Sequence, residues 1–306
     1  MTLLLFAGGV TTSIQAGMAF LDWPLSNGSL NPEGWTHAAD QLAEHSHRLL
    51  GMKMGLLSIA LAVFCGIFES RKIVRRLALA LVGIIIFQGV LGGMRVLLDQ
   101  QNLHTETNVI AHIFVILHAC GAQITLCTMV TLVILLSRGW IEGEAVAEGP
   151  AVISLRRWAK FAVVALLGQL LLGAMVRHLK AALIFGDHFP LLTGDITGWE
   201  SFFPARITLH ALVHYLHRVW AVIVVVIVFR FITKAWSIPK IRRDHGFWIG
   251  LLSVLLVLQV ALGAMVVWTI RNPHAATVHT LCGASILAIT WGLTVRVHRR
   301  NKEAGA

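Results

Sequence analysis

The 306-residue chain is 57% hydrophobic and only 13% charged, with a mean hydropathy of +0.76. Soluble domains carry about a quarter charged residues, so this composition argues against a water-soluble enzyme, and it leaves too much apolar surface for a disordered chain. The net charge of +10 forms no single basic stripe; Lys and Arg cluster between apolar runs, which points to a lipid bilayer and away from nucleic acid.

In chain order, eight apolar runs predict transmembrane helices near 3–21, 44–67, 77–98, 109–136, 158–176, 210–232, 247–270 and 275–295. Met1-Thr2-Leu3 opens the first run with no basic region before it. That run therefore reads as a span, not as a signal or transit peptide, and a bacterial plasma membrane is expected. Basic residues alternate between the connections. Loops 69–76 and 137–160, segment 230–246 and the tail with Arg296, Arg299, Arg300 and Lys302 hold 17 of the 25 Lys and Arg. The positive-inside rule places these four regions and both termini in the cytoplasm, and loops 22–43 and 177–209 outside. Cys65, Cys120, Cys127 and Cys282 all fall within apolar runs without metal-ligand spacing, as small buried residues do.

The two halves echo each other. Glu44-His45-Ser46-His47-Arg48 in the second run matches His214-Tyr215-Leu216-His217-Arg218 in the sixth. Gln88 and Gly92 match Gln259 and Gly263, His118 with Cys120-Gly121 matches His279 with Cys282-Gly283, and Asp22-Trp23-Pro24 echoes Asp187-His188-Phe189-Pro190. The pairs lie 161 to 171 residues apart. An all-α integral membrane protein of two pseudo-symmetric four-helix bundles is expected, with halves 1–136 and 158–306 joined by a cytoplasmic linker, 137–157.

Fifteen histidines carry the chemistry. An ionisable side chain within a membrane is costly and marks a functional candidate. His104, His178, His188 and His274 fall at external interfaces, where a hydrogen-bonding role is expected; His112 and His210 are candidates to line a cavity. His47, His118, His217 and His279 recur in register with the duplication, two per half. Two imidazoles facing each other inside a helix bundle can hold a haem iron from both sides, and nearby glycines leave room for a flat macrocycle.

The sequence resembles the haem A synthase family over nearly its whole length. The resemblance rests on Asp22-Trp23-Pro24-Leu25, the Glu-x-x-His-Arg motif of Glu44, His47 and Arg48, His118 with Gln123, His217-Arg218, and His279. It implies oxidation of the C8 methyl of haem O to the formyl group of haem A for terminal oxidases. It also implies that His47 and His118 take the substrate haem, that His217 and His279 hold haem b, and that Gln123 belongs to the haem-binding set. A haem O synthase and an electron acceptor are candidate partners, and an oligomer is compatible. Some members carry a cysteine pair in the first external loop; residues 22–44 here contain none, so a mechanism needing thiols there does not apply.

The halves differ at one point. Glu44 precedes His47 by three residues on the same helical face, while His214 precedes His217. A carboxylate at only one of two similar sites is what a substrate haem beside an electron-carrying haem requires, with Glu44 taking protons or stabilising positive charge. The simpler alternative is an ion pair between Glu44 and Arg48. Arg48 and Arg218 are candidates for haem propionates, or else supply positive charge at the membrane surface. A di-haem b-type electron-transfer cytochrome fits the same histidines without Glu44, and a haem chaperone or exporter would need an exit route.

Overall fold

A computed structural model describes residues 1–100, 109–194 and 198–299; His104, Arg300 and Lys302 lie outside them. The described residues are helical throughout their ordered elements: α1 (Thr2–Ser13), α2 (Ala39–Phe68), α3 (Lys72–Gln100), α4 (Val109–Leu136), the single turn α5 (Arg138–Ile141), α6 (Pro150–His178), α7 (Leu209–Trp236), α8 (Pro239–Trp268) and α9 (Pro273–Val297). Seven of these are long and apolar enough to cross a membrane. Pro150, Pro239 and Pro273 open their helices, where the missing N–H costs nothing. Helix α6 begins eight residues before the apolar run, so 150–157 is helix and not connecting chain.

The expectation of eight full-length spans needs correction at the first. Helix α1 has 12 residues, about 18 Å of rise, against a hydrocarbon core of about 30 Å. It stops because Gln15 adopts φ 60°, the left-handed turn that ends helices, and the Ala16 N–H returns to the Thr11 carbonyl at 2.8 Å. Residues 14–38 then form a loop, in which the Asp22 carboxylate accepts from the N–H groups of Asn27 (2.8 Å) and Gly28 (2.7 Å).

Helix α3 pairs with α4, α6 with α7 and α8 with α9; α1 lies between α2 and α9, and α4 packs on both α6 and α9. The apolar core concentrates at one end of the molecule. Leu155, Phe231, Ile249, Leu252 and Leu293 fill that end in one cluster, and Cys65, Val74, Ala78 and Leu132 in another. The outward faces carry exposed Leu56, Phe68, Val222 and Val257, an apolar surface suited to lipid. The opposite end, where α2, α4, α7 and α9 begin, is hollow.

Candidate functional site

The hollow end encloses a cavity of about 1600 Å³ lined by α1, α2, α3, α4, α6, α7, α8 and α9, larger than the roughly 300–1,000 Å³ of an ordinary ligand pocket. His47, His118, His217 and His279 all line it. The rings of His47 and His118 face each other with centroids 6.3 Å apart and planes at 84°. A metal about 2 Å from a nitrogen of each ring separates such rings by about 6 Å. His217 and His279 likewise sit within electrostatic reach of each other. Among the described residues no three His, Cys, Asp or Glu side chains converge as a metal cluster. Each pair thus offers two donors, and the macrocycle of a haem would have to supply the rest.

Each ring lies over a glycine of a neighbouring helix. A Cβ added to Gly8, Gly92, Gly173 or Gly263 would stand 2.8, 3.3, 3.2 or 3.2 Å from Cε1 of His47, His118, His217 or His279. The backbone four residues before each glycine then meets the same ring. His118 Nδ1 donates to the Gln88 carbonyl at 3.0 Å; Leu4, Gln169 and Gln259 hold the corresponding position near His47, His217 and His279, but Nδ1 of His47 and of His279 is buried without a hydrogen bond. For His118 this second-side contact fixes the tautomer and aims the other nitrogen into the cavity. The amide of Gln88 lies against Gly121, and that of Gln259 is 3.2 Å from a Cβ at Gly283, so α3 with α4, and α8 with α9, exchange a ring for an amide. The Gln123 amide is buried in the same wall with Oε1 unpartnered. These cradles and unspent polar atoms fit a flat, iron-bearing macrocycle.

The arginines after His47 and His217 differ. Arg48 donates to the carbonyls of Phe20 (3.2 Å), Asp22 (2.8 Å) and Leu25, and to Glu44 Oε1 at 2.6 Å. Glu44 is 4% exposed, and its Oε2 accepts from the Phe20 N–H at 3.0 Å. Arg48 therefore clamps the first loop and is neutralised in place. Arg218 clamps the other loop through the Leu191 carbonyl (2.8 Å) and donates to His214 at 3.1 Å, but its Nη2 is buried without a partner.

Sequence reasoning missed Gly8 and Gly173, whose signal is a glycine facing a candidate histidine one helix away. It also set His178 aside as an interface residue. That ring lines the cavity within reach of His118, His112 and Arg95. His112 lines the cavity as expected, whereas His210 is exposed and does not.

The family model COX15-CtaA, cytochrome oxidase assembly protein, matches residues 1–291. The chain is 27% identical over 310 residues to a heme A synthase of Halalkalibacterium halodurans, covering 99% of this chain and 94% of that one. It is 28% identical over 288 residues to a heme A synthase of Alkalihalophilus pseudofirmus (91% and 87% covered). A heme A synthase of Symbiobacterium thermophilum is 27% identical over 299 residues (95% and 88% covered). With a family match running through every helix of the cavity, the chain belongs to the COX15-CtaA family of cytochrome oxidase assembly proteins.

Proposed function

We propose that the protein is a haem A synthase, a membrane oxidoreductase that converts haem O to haem A, with the substrate haem between His47 and His118 and a resident haem b between His217 and His279. The observation that carries this reading is that His47 and His118 face each other while His217 and His279 line the same cavity, and that Glu44, three residues before His47, is the one buried carboxylate among the described residues. Two successive hydroxylations of the C8 methyl give an alcohol and then a hydrate, which loses water to leave the formyl group. A resident haem b supplies one-electron redox chemistry.

The protein's own groups do the rest. His47 and His118 hold the substrate from both faces, with their rings braced on Gly8 and Gly92. Glu44 is the acid–base candidate on the cavity wall; Arg48 and the Phe20 N–H keep its carboxylate in one position, where it takes a proton or stabilises positive charge. Arg48 holds the first loop across that site. Arg218, with an unspent Nη2, is the better propionate anchor of the two, and Gln123 offers a polar contact to the first haem. A half that neutralises its own arginine suits a haem that must leave, and a half that does not suits one that stays.

Recurrence of the glycine-backed imidazoles supports an origin of the halves 1–136 and 158–306 by duplication of a four-helix unit, with α1 as the first helix. The basic clusters support cytoplasmic termini and haem sites towards the outer side of a bacterial plasma membrane. Acid extraction of the purified protein followed by chromatography tests the function: haem O or haem A beside haem b supports it, while haem b alone assigns the protein to di-haem electron transfer.

A further inference from the structure

Arg177 stands one turn beyond Gly173 near the end of α6, on the wall of the cavity. Its guanidinium is spent on neutral oxygens. Nη1 donates to Thr280 Oγ1 at 2.7 Å, and Nη2 to the Gly9 carbonyl and Ser13 Oγ at 2.6 Å each. Among the described residues no carboxylate lies within ion-pair distance of Arg177 or Arg271. The charges that Arg177 feels and exerts involve cations and imidazoles alone: Arg271, which repels it, His178 beside it, and His279. Arg271 lines the same cavity from the turn between α8 and α9.

A charge inside a membrane protein is expensive unless an opposite charge compensates it. Two guanidiniums on the wall of one cavity, neither with a carboxylate at ion-pair distance among the described residues, suit an anionic guest. The position is also peculiar to this half, since the residue four beyond Gly8 in α1 is Thr12. We propose that Arg177 and Arg271 bind a carboxylate of the tetrapyrrole held by His217 and His279. This inference rests on the reading of those histidines as haem ligands. It gives the resident group a second anchor besides Arg218, matching the two propionates of a haem. The planar guanidinium suits a carboxylate by two parallel hydrogen bonds.

The test compares iron protoporphyrin IX with its dimethyl ester, which lacks the carboxylates. Full-length His118→Ala protein, prepared without haem so that only the second site is read, is placed in neutral phosphatidylcholine nanodiscs and titrated by the Soret band of the bis-imidazole species. The acid should bind more tightly than the ester. Arg177→Gln and Arg271→Asn should each weaken the acid about 10-fold while leaving the ester unchanged, and Arg177→Lys should keep most of the preference. Equal losses for acid and ester in Arg177→Gln, with an unaltered ratio in Arg271→Asn, would assign these residues to packing and overturn the proposal alone. An acid preference that vanishes when phosphatidylglycerol is added would assign the site to a lipid phosphate and overturn it too. Uptake of neither form by the parent protein overturns this inference together with the haem-ligand reading.

Discussion

His118 on α4 and Gly92 on α3 are in contact across the helix pair, with Cε1 of the ring 3.3 Å from the place of a glycine Cβ. The same helix turn presents the Gln88 carbonyl to Nδ1 at 3.0 Å, so one stretch of α3 both admits the ring and sets its rotation. The α8–α9 pair places Gly263 against His279 in the same way, but there the Gln259 amide lies 3.4 Å from Nε2 and Nδ1 is buried without a partner. The α3–α4 pair thus delivers an imidazole oriented by a backbone carbonyl, without a carboxylate to orient it.

Gly263→Ala should therefore disturb the resident haem while Gly83→Ala should not. A Cβ at Gly263 meets the His279 ring at 3.2 Å, and one at Gly83 meets nothing within 4 Å. Overpacking of this kind costs about 1–3 kcal/mol, which would appear as partial loss of haem b and a shifted low-spin spectrum. Full haem content with an unshifted spectrum in Gly263→Ala would show that the ring does not depend on its seat.

Removing either imidazole of the second pair, by His217→Ala or His279→Ala, should abolish haem b, because one axial ligand leaves a weak site. His112→Ala should leave both haems bound, since His47 and His118 already supply two facing rings to the first site. Reduced-minus-oxidised spectra of the three proteins decide this. Loss of a haem in His112→Ala but not in His118→Ala would transfer the ligand role between them.

The helices and the four histidines were legible because each rests on a local signal. An apolar run such as Val109–Leu136 declares its own bounds, and an imidazole inside one stands out by cost. The end of α1 was not legible. Thr11 and Thr12 donate back to the carbonyls of Ala7 and Gly8 at 2.9 Å, so their hydroxyls are hidden within a helix, and nothing in composition marks Gln15 as the turning residue. His178 was not legible either, because its neighbours Arg95, His112 and His118 come from distant helices. The cost of Glu44 was underread: at 4% exposure, its pair with Arg48 is an interior contact and not a surface one.

The turn between α2 and α3 should respond to acid. Glu69 accepts from Arg71 Nε at 2.8 Å and Nη2 at 2.7 Å, and from the Arg71 N–H at 2.9 Å. The Arg71 side chain, then its backbone N–H, pulls the Glu69 carboxyl down to about 2 from 4.5. Arg71 also donates to the Leu135 carbonyl at 2.8 Å, tying the turn to the end of α4. A depressed carboxyl contributes stability above its unfolded value that disappears as pH falls through its folded one. The melting-temperature gap between the native protein and Glu69→Gln should be constant above 4.5 and close towards about 2. A gap that stays open at the acid end would mean that Glu69 acts without its charge.

Single cysteines at positions 25–40 should react with an impermeant thiol reagent from the periplasmic side, in a protein whose four native cysteines, three of them buried, are all free thiols. Cysteines in loops 69–76 and 137–149 and in segment 233–246 should react only after the membrane is opened, because these connections and the tail carry most of the 25 basic residues, which the positive-inside rule assigns to the cytoplasm. The opposite labelling pattern reverses the orientation.

Glu44→Gln separates chemistry from packing at the first site. The substitution keeps size but removes the charge, and one oxygen must give way to an NH₂. Arg48 then loses a 2.6 Å ion pair, or the Phe20 N–H loses its acceptor. Breaking a buried pair by one partner costs about 3–5 kcal/mol, so the melting temperature should fall and the first loop should loosen. Haem b should be retained, because Arg218 and His214 build the corresponding clamp in the other half without Glu44. If Glu44 also takes a proton or stabilises charge during methyl oxidation, haem A formed per haem b should drop by about 10²–10⁴-fold. Haem O should remain bound, and the alcohol should accumulate if only the second oxidation fails. Normalising to haem b keeps the two effects apart, since a folding defect lowers both haems together. A Glu44→Gln protein that melts early yet makes haem A at the native rate per haem b would leave Glu44 as the anchor of the loop and nothing more. The difference between the two halves would then have to be sought in Arg95 and His178.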